Sequence, residues 1–170
     1  MRITGFLAVS ALALLSACGK PSSPAEPQTG AVSTEASSTT ASPALSDAQK
    51  KTLLAELPVP YQSADLDNGQ AKFAICKTCH TPNQGGGNMT GPNLWEVFGR
   101  KSGTSPGFAY SDGMKSLGAV WDAEKINQWI ANPRAMVPGT KMTYIGMENP
   151  KDRVDVIAYL KTVTSAPPAR

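Results

Sequence analysis

The pentapeptide Cys76-Lys77-Thr78-Cys79-His80 constrains this chain more than any other feature. Two thiols separated by two residues, followed at once by an imidazole, reach one side of a flat tetrapyrrole from a single helical turn. The thiols can add across two haem vinyl groups while the imidazole coordinates iron from the same side. The motif therefore reads as the attachment site of one covalent haem c.

Other uses of the cysteine pair fit the sequence less well. The chain has three cysteines and one histidine. A structural zinc site needs four protein ligands, which Cys76, Cys79 and His80 cannot supply without Cys18 or a second histidine. A thioredoxin-like redox pair calls for a βαβ pattern, and none surrounds this one. A disulfide across two intervening residues would close too short a loop to remove much chain entropy.

Composition limits how much core the chain can build. The 170 residues allow about one compact domain, and the first sixty or so do not read as part of it. Aromatic content is only 6%, so a domain of roughly one hundred residues would bury too little apolar surface by itself. Something other than side chains is expected to fill its core. The net charge is +3, and Lys and Arg are scattered, with no basic run longer than a pair such as Lys50-Lys51; nucleic acid is not expected as a partner.

The N-terminal part reads as an export and anchoring device. Arg2 precedes an apolar stretch from Gly5 to Leu15, eleven residues long, which suits a signal peptide and is too short to span a bilayer. The stretch ends in Leu15-Ser16-Ala17-Cys18, which resembles a bacterial lipoprotein box. Residues 1–17 are thus expected to be a signal peptide and Cys18 the lipidated first residue of the mature chain, with an ordinary cleaved signal peptide as the alternative. Acyl chains there would hold the protein on the periplasmic side of a bacterial membrane. Gly19, in place of Asp, favours the outer membrane over the inner one, as in Gram-negative lipoproteins.

Residues 18–60 then form a tether rich in Ser, Thr, Ala and Pro, which from Lys20 to about Ser46 has too few bulky apolar side chains to order. Within it, Ser46-Asp47-Ala48-Gln49 has the form of a capping box opening a short helix over 46–57, with Leu53, Leu54 and Leu57 available for docking, stopped by Pro58 and Pro60; the sequence leaves open whether it packs on the domain. A single domain is expected over 61–166.

Inside that domain the pattern is all-α. Asn68 to Ile75 reads as the end of a helix capped by Asp65 or Asp67, with the cysteine motif at its C-terminus. Asp122 caps a second helix in which Ile126, Trp129 and Ile130 share a face, and Asn132-Pro133 ends it. Asn149-Pro150 opens the last helix, with Val154, Ile157, Ala158 and Leu160 near one stripe. Gly85-Gly86-Gly87 and the stretch Gly103 to Gly113 read as loops able to lie close to a flat cofactor. Because His80 is the only histidine, a second axial ligand from this chain must be a methionine or a weaker donor. Of Met89, Met114, Met136, Met142 and Met147, the rigid turn Pro138-Gly139-Thr140-Lys141-Met142 favours Met142.

Further segments occur in a recognisable order: Thr90-Gly91-Pro92-Asn93-Leu94, Phe98-Gly99-Arg100-Lys101-Ser102-Gly103, Phe108-Ala109-Tyr110-Ser111, Trp121, Asn132-Pro133, Pro138 to Met142, and Ile157-Ala158-Tyr159-Leu160-Lys161. With the attachment motif, the run from Gly69 to Thr164 resembles the class I cytochromes c of the mitochondrial and bacterial c2 type. The resemblance implies a cytochrome c fold, in which the first and last helices cross and loops enclose the covalent haem c. It implies Cys76 and Cys79 as thioether anchors, His80 and Met142 as axial ligands, and the Pro92 carbonyl as the acceptor that orients His80. It also implies that Arg100, Tyr110 and Trp121 reach the haem propionates, and that Thr140 belongs to a polar network near Met142.

Several positions depart from the family pattern. Trp129 stands where a Tyr often lies near the Met sulfur, and Met114 where an Asn commonly holds a water. The ring of basic residues around the haem edge is thinned to Lys72, Lys77, Arg134 and Lys141, interrupted by Ala135 and Glu148. The resemblance implies no enzyme but a monomeric single-electron carrier, cycling Fe(III)/Fe(II) between a donor like quinol-cytochrome c reductase and an oxidase or other acceptor. The alternatives are a permanent haem subunit of a larger respiratory complex, and a peroxidase or ligand-binding protein with a labile methionine.

Overall fold

The computed structural model describes residues 45–168. The expected signal peptide, Cys18 and the tether up to residue 44 lie outside the described residues. Six α-helices follow in order: α1 (Asp47–Ala55), α2 (Leu66–Phe73), α3 (Asp112–Ser116), α4 (Ala123–Ala131), α5 (Pro133–Met136) and α6 (Pro150–Thr164). Among the described residues there is no strand, only an isolated antiparallel bridge between Lys101 and Val120. No described helix is long and apolar enough to cross a membrane.

The helix starts follow from their caps. Ser46 accepts from the Gln49 amide while the Gln49 side chain accepts from the Ser46 amide, a complete capping box. Asp65 accepts from the amides of Asp67 and Asn68 at α2, Asp122 from Lys125 at α4, and Asn149 from Lys151 at α6, where Pro150 takes the first position.

The centre of the fold is the crossing of α2 and α6, and it depends on Gly69. A Cβ at Gly69 would lie 2.2 Å from the Asp155 carbonyl oxygen and 2.8 Å from Tyr159 Cβ, so only glycine permits this approach. Phe73 packs its ring against Tyr159 at 5.6 Å between centroids. The crossing also carries a polar latch. The buried Asp155 carboxylate accepts from the Asp65 amide at 3.0 Å, from Asn68 Nδ2 at 2.7 Å and from Lys151 Nζ at 2.5 Å. Asp152 extends it, accepting from Asn68 Nδ2 at 3.0 Å and pairing with Lys72 at 2.8 Å. A buried carboxylate is tolerable only with such satisfaction of its oxygens.

Four features depart from the sequence reading. The short helix read as part of the tether is packed on α6, so the folded unit begins at α1 and not at residue 61. Leu53, Leu54 and Leu57 are buried and Glu56 pairs with Lys161 of α6 at 2.7 Å. Gln62 Nε2 donates to the Leu57 carbonyl at 2.7 Å and closes the turn that follows. Asn132-Pro133 does not simply end α4: the Asn132 side chain accepts from the Ala135 amide and starts α5 with Pro133 at its first position. The stretch read as loop from Gly103 to Gly113 leads into α3, capped by Ser111, with Met114 buried. Finally, α6 buries Asp155, Val156, Ile157, Ala158, Leu160, Thr162 and Thr164 instead of one stripe, because α1, α2 and α4 all pack on it.

Candidate functional site

The loops between these helices close around a cavity of about 300 Å³ with predominantly apolar walls, within the range of sites built for small organic cofactors. Cys76, Cys79, His80 and Pro92 line it from the segment after α2; Arg100, Tyr110 and Trp121 line it from the middle of the chain. Thr140 and Met142 line it from the turn after α5.

The attachment motif is shaped by its own backbone. After α2 the chain tightens into a 3₁₀ turn, Cys76–Thr78, in which the amides of Cys79 and His80 both donate to the Cys76 carbonyl, at 3.1 and 3.0 Å. This tighter turn, and not the α-helix itself, carries the motif. Thr78 Oγ1 donates to the Ile75 carbonyl at 2.7 Å, and the Gly91 amide to the Cys79 carbonyl at 2.8 Å. Both thiols are free, and burial pushes the Cys76 thiol up to about 11.

His80 is fixed from two sides. Its Nδ1 lies 2.7 Å from the Pro92 carbonyl oxygen; a carbonyl only accepts, so Nδ1 carries the proton and Nε2 keeps its lone pair. A Cβ at Gly91 would lie 2.3 Å from His80 Cε1, so residue 91 must be glycine for the ring to stand where it does. Burial lowers the proton affinity of the imidazole, against the opposing effect of the Pro92 hydrogen bond. The loop is tied down by Asn93, whose Nδ2 donates to Thr81 Oγ1 at 2.7 Å and to the Asn83 carbonyl at 3.0 Å.

Arg100 is half-buried and donates to the carbonyls of Asn93 and Trp95 at 3.0 and 3.1 Å. No ion pair among the described residues involves it, so a half-buried cation with spare donors borders the cavity. Trp121 is buried and tilts against Trp129, with centroids 5.8 Å apart. Tyr110 meets Phe108 edge-on at 4.8 Å. Thr140 Oγ1 accepts from the Met142 amide at 3.2 Å, which shapes the turn bearing the Met142 thioether.

These residues fit a covalent haem. The cavity offers two thiols, an imine nitrogen, a thioether sulfur and apolar walls, with an unpaired guanidinium beside it for acidic side groups. The model of the family described as "Cytochrome c" matches residues 66–164. The chain belongs to the cytochrome c family.

Its relatives bear this out. Cytochrome c2 of Rhodomicrobium vannielii is 44% identical over 102 residues, covering 60% of this chain and 82% of that protein. Cytochrome c of Euglena viridis is 51% identical over 100 residues, covering 58% and 97%. Among solved structures, cytochrome cH from Methylobacterium extorquens superposes with a TM-score of 0.54 at 44% identity, covering 58% of this chain and 99% of that one. The protein is accordingly a monohaem class I cytochrome c, an electron carrier and not an enzyme, binding one haem c covalently through its cysteines.

All nine cavity residues suggested by the sequence come together here. Sequence reasoning missed the roles of Gly91 beside the imidazole, Asn93 as the knot of the loop, and Asn68, Asp152 and Asp155 as the latch. Asn93 had a signal in its place within Thr90-Gly91-Pro92-Asn93-Leu94; Asp155 had none, since a carboxylate in a helix reads as solvated.

Proposed function

We propose that this cytochrome c is a lipid-anchored carrier on the periplasmic side of a bacterial membrane, with His80 and Met142 as its axial ligands. It would take electrons from a quinol-oxidising complex and pass them to a terminal oxidase or another periplasmic acceptor. The observation that carries the site assignment is the imidazole held by the Pro92 carbonyl in a cavity that the Met142 thioether also lines. Bound haem c supplies one reversible electron.

The chain's own residues set the conditions for that exchange. The Pro92 carbonyl fixes the His80 tautomer, so the nitrogen presented to the cavity is the unprotonated one. Thioether donation from Met142 favours the reduced state relative to a second imidazole. Apolar walls from Trp121, Trp129 and Met114 exclude water, which limits reorganisation on electron transfer. Arg100 would offset the charge of a propionate, and Tyr110 and Trp121 would offer it neutral hydrogen-bond donors.

Anchoring rests on Cys18 in Leu15-Ser16-Ala17-Cys18, and Gly19 favours the outer membrane. Two measurements test the reading. Ferric holoprotein at neutral pH should show the charge-transfer band of a methionine sulfur on iron, unchanged by peroxide and lost in Met142→Ala. Cells carrying Cys18→Ser should release the protein from the membrane fraction in soluble form. A band that survives Met142→Ala rejects the axial assignment, and continued membrane retention of Cys18→Ser rejects the anchor.

A further inference from the structure

One wall of the haem cavity is held from outside by the end of α6. The chain from Val97 to Arg100 makes a tight turn, closed by the Arg100 amide on the Val97 carbonyl at 3.1 Å. The Gly99 amide donates to the Trp121 carbonyl at 2.7 Å, and the Trp121 amide to the Arg100 carbonyl at 2.9 Å. Val97, Arg100 and Trp121 line the cavity, whereas Phe98 does not. Lys161 Nζ of α6 lies 5.3 Å from the centre of the Phe98 ring, close enough for a cation to be attracted to an aromatic ring. Further along α6, the Thr164 carbonyl accepts from the Glu96 amide at 2.6 Å. The position of the turn thus follows that of the last part of α6.

Lys161 is itself held by α1. Its side chain is only 13% exposed, and it pairs at 2.7 Å with Glu56, the residue that ends α1. A nearly buried ammonium left without a partner is costly. Leu53, Leu54, Leu57 and Tyr61 are all buried and fix Glu56 in register with Lys161. None of the residues 45–64 lines the cavity, and all of them precede residue 66, where the match to the family model begins. They form a packed segment outside the family core, and its ion pair with α6 engages the same lysine that holds Phe98.

We propose that α1 and the turn after it form a strap, clasped through Glu56 and Lys161, that keeps the Val97–Arg100 turn closed on the haem. Release of the strap opens this wall to water and lowers the reduction potential, because water stabilises the more charged ferric iron. The driving force for electron transfer then depends on a segment outside the family core.

The test applies redox titration and hydrogen–deuterium exchange to the full-length holoprotein. In Leu53→Ser/Leu54→Ser, exchange should rise over 46–57 and, with it, over 94–101. The ferric-to-ferrous ratio at a fixed ambient potential should rise at least about twofold, with the haem still low-spin. Glu56→Gln alters a half-exposed side chain, keeps the fold and should move both readouts the same way. Its sign is diagnostic: loss of a negative charge by itself favours the ferrous state, so a lower potential must come from the loosened turn. In a Lys161→Met background the two residues are no longer partners, and Glu56→Gln should leave exchange over 94–101 unchanged. Lys50→Gln, which breaks only the exposed pair with Asp47 on α1, should change neither readout.

Exchange that rises over 46–57 while 94–101 and the ratio stay at wild type overturns the proposal. So does a Glu56→Gln protein whose potential is unchanged or raised, or one whose potential falls equally in the Lys161→Met background. Should the leucine variant fail to fold, the Glu56→Gln and Lys161→Met proteins decide the matter alone.

Discussion

The approach of α2 to α6 makes Gly69→Ala the most informative single substitution. The new Cβ would begin 2.2 Å from the Asp155 carbonyl oxygen and 2.8 Å from its carbon, whereas real Cβ contacts essentially never fall under 3.0 Å. Both atoms belong to the backbone of α6, so no side chain can rotate out of the way. The helices must separate by about 1 Å, which loosens the Phe73–Tyr159 contact and lengthens the bonds from Asp65 and Asn68 to Asp155. Forced overpacking costs about 1–3 kcal/mol and sometimes more, and loss of part of a buried hydrogen-bonded latch adds about 1–3 kcal/mol. Replacing glycine in a helix returns about 1 kcal/mol. The net expectation is about 1–5 kcal/mol of destabilisation, which lowers the melting temperature by at least about 4 °C for a domain of this size.

The measurement is thermal and guanidinium unfolding of the holoprotein, followed by far-ultraviolet circular dichroism and haem absorbance together. Gly87→Ala is the control: its Cβ would meet nothing within 4 Å, and the residue is not among those with positive φ. It should change the melting temperature by less than about 2 °C. A Gly69→Ala protein that melts with the control would refute the argument that the close crossing requires glycine.

Gly91→Ala should tilt the His80 ring, because its Cβ would lie 2.3 Å from Cε1; the ferric spectrum should lose low-spin character, while Gly87→Ala keeps it. Leu54→Ala should cost about 2–5 kcal/mol in guanidinium unfolding if α1 is part of the folded unit, and almost nothing if it is a solvated tether. Burial alone raises the Asp155 carboxyl, but bonds from Lys151, Asn68 and the Asp65 amide outweigh it and hold the group below its ordinary value. Its stabilisation is therefore present above the unfolded aspartate value near about 3.9 and is lost as pH falls through the lower folded value. Melting temperature should drop through that acid window, and Asp155→Asn should flatten the drop while lowering stability at neutral pH.

Much of the site is legible from local sequence because the chemistry is local. Cys76, Cys79 and His80 are neighbours in the chain, and a single turn orients them whatever surrounds it. The caps Ser46, Asp65, Asp122 and Asn149 work within three residues of themselves, so the helix starts could be read from composition and order. Met142 is favoured by its turn, but Arg100, Tyr110, Trp121 and Thr140 could be assigned only through the family resemblance, since no local pattern distinguishes a cavity tryptophan from a core one.

What the sequence by itself determined is thus the covalent attachment of one haem, the all-α class and the order of the four capped helices α1, α2, α4 and α6, since each rests on interactions between residues a few positions apart. Tertiary structure alone decided that α1 belongs to the domain, that Gly69 and Gly91 are fixed by contacts with Asp155 and His80, and that Asp155 is a buried latch. These depend on pairs such as Asp65 and Asp155, ninety positions apart, whose meeting is set by how whole helices pack. The haem motif announces the cofactor, and the packing around it determines which residues reach it and what surface it shows to a partner.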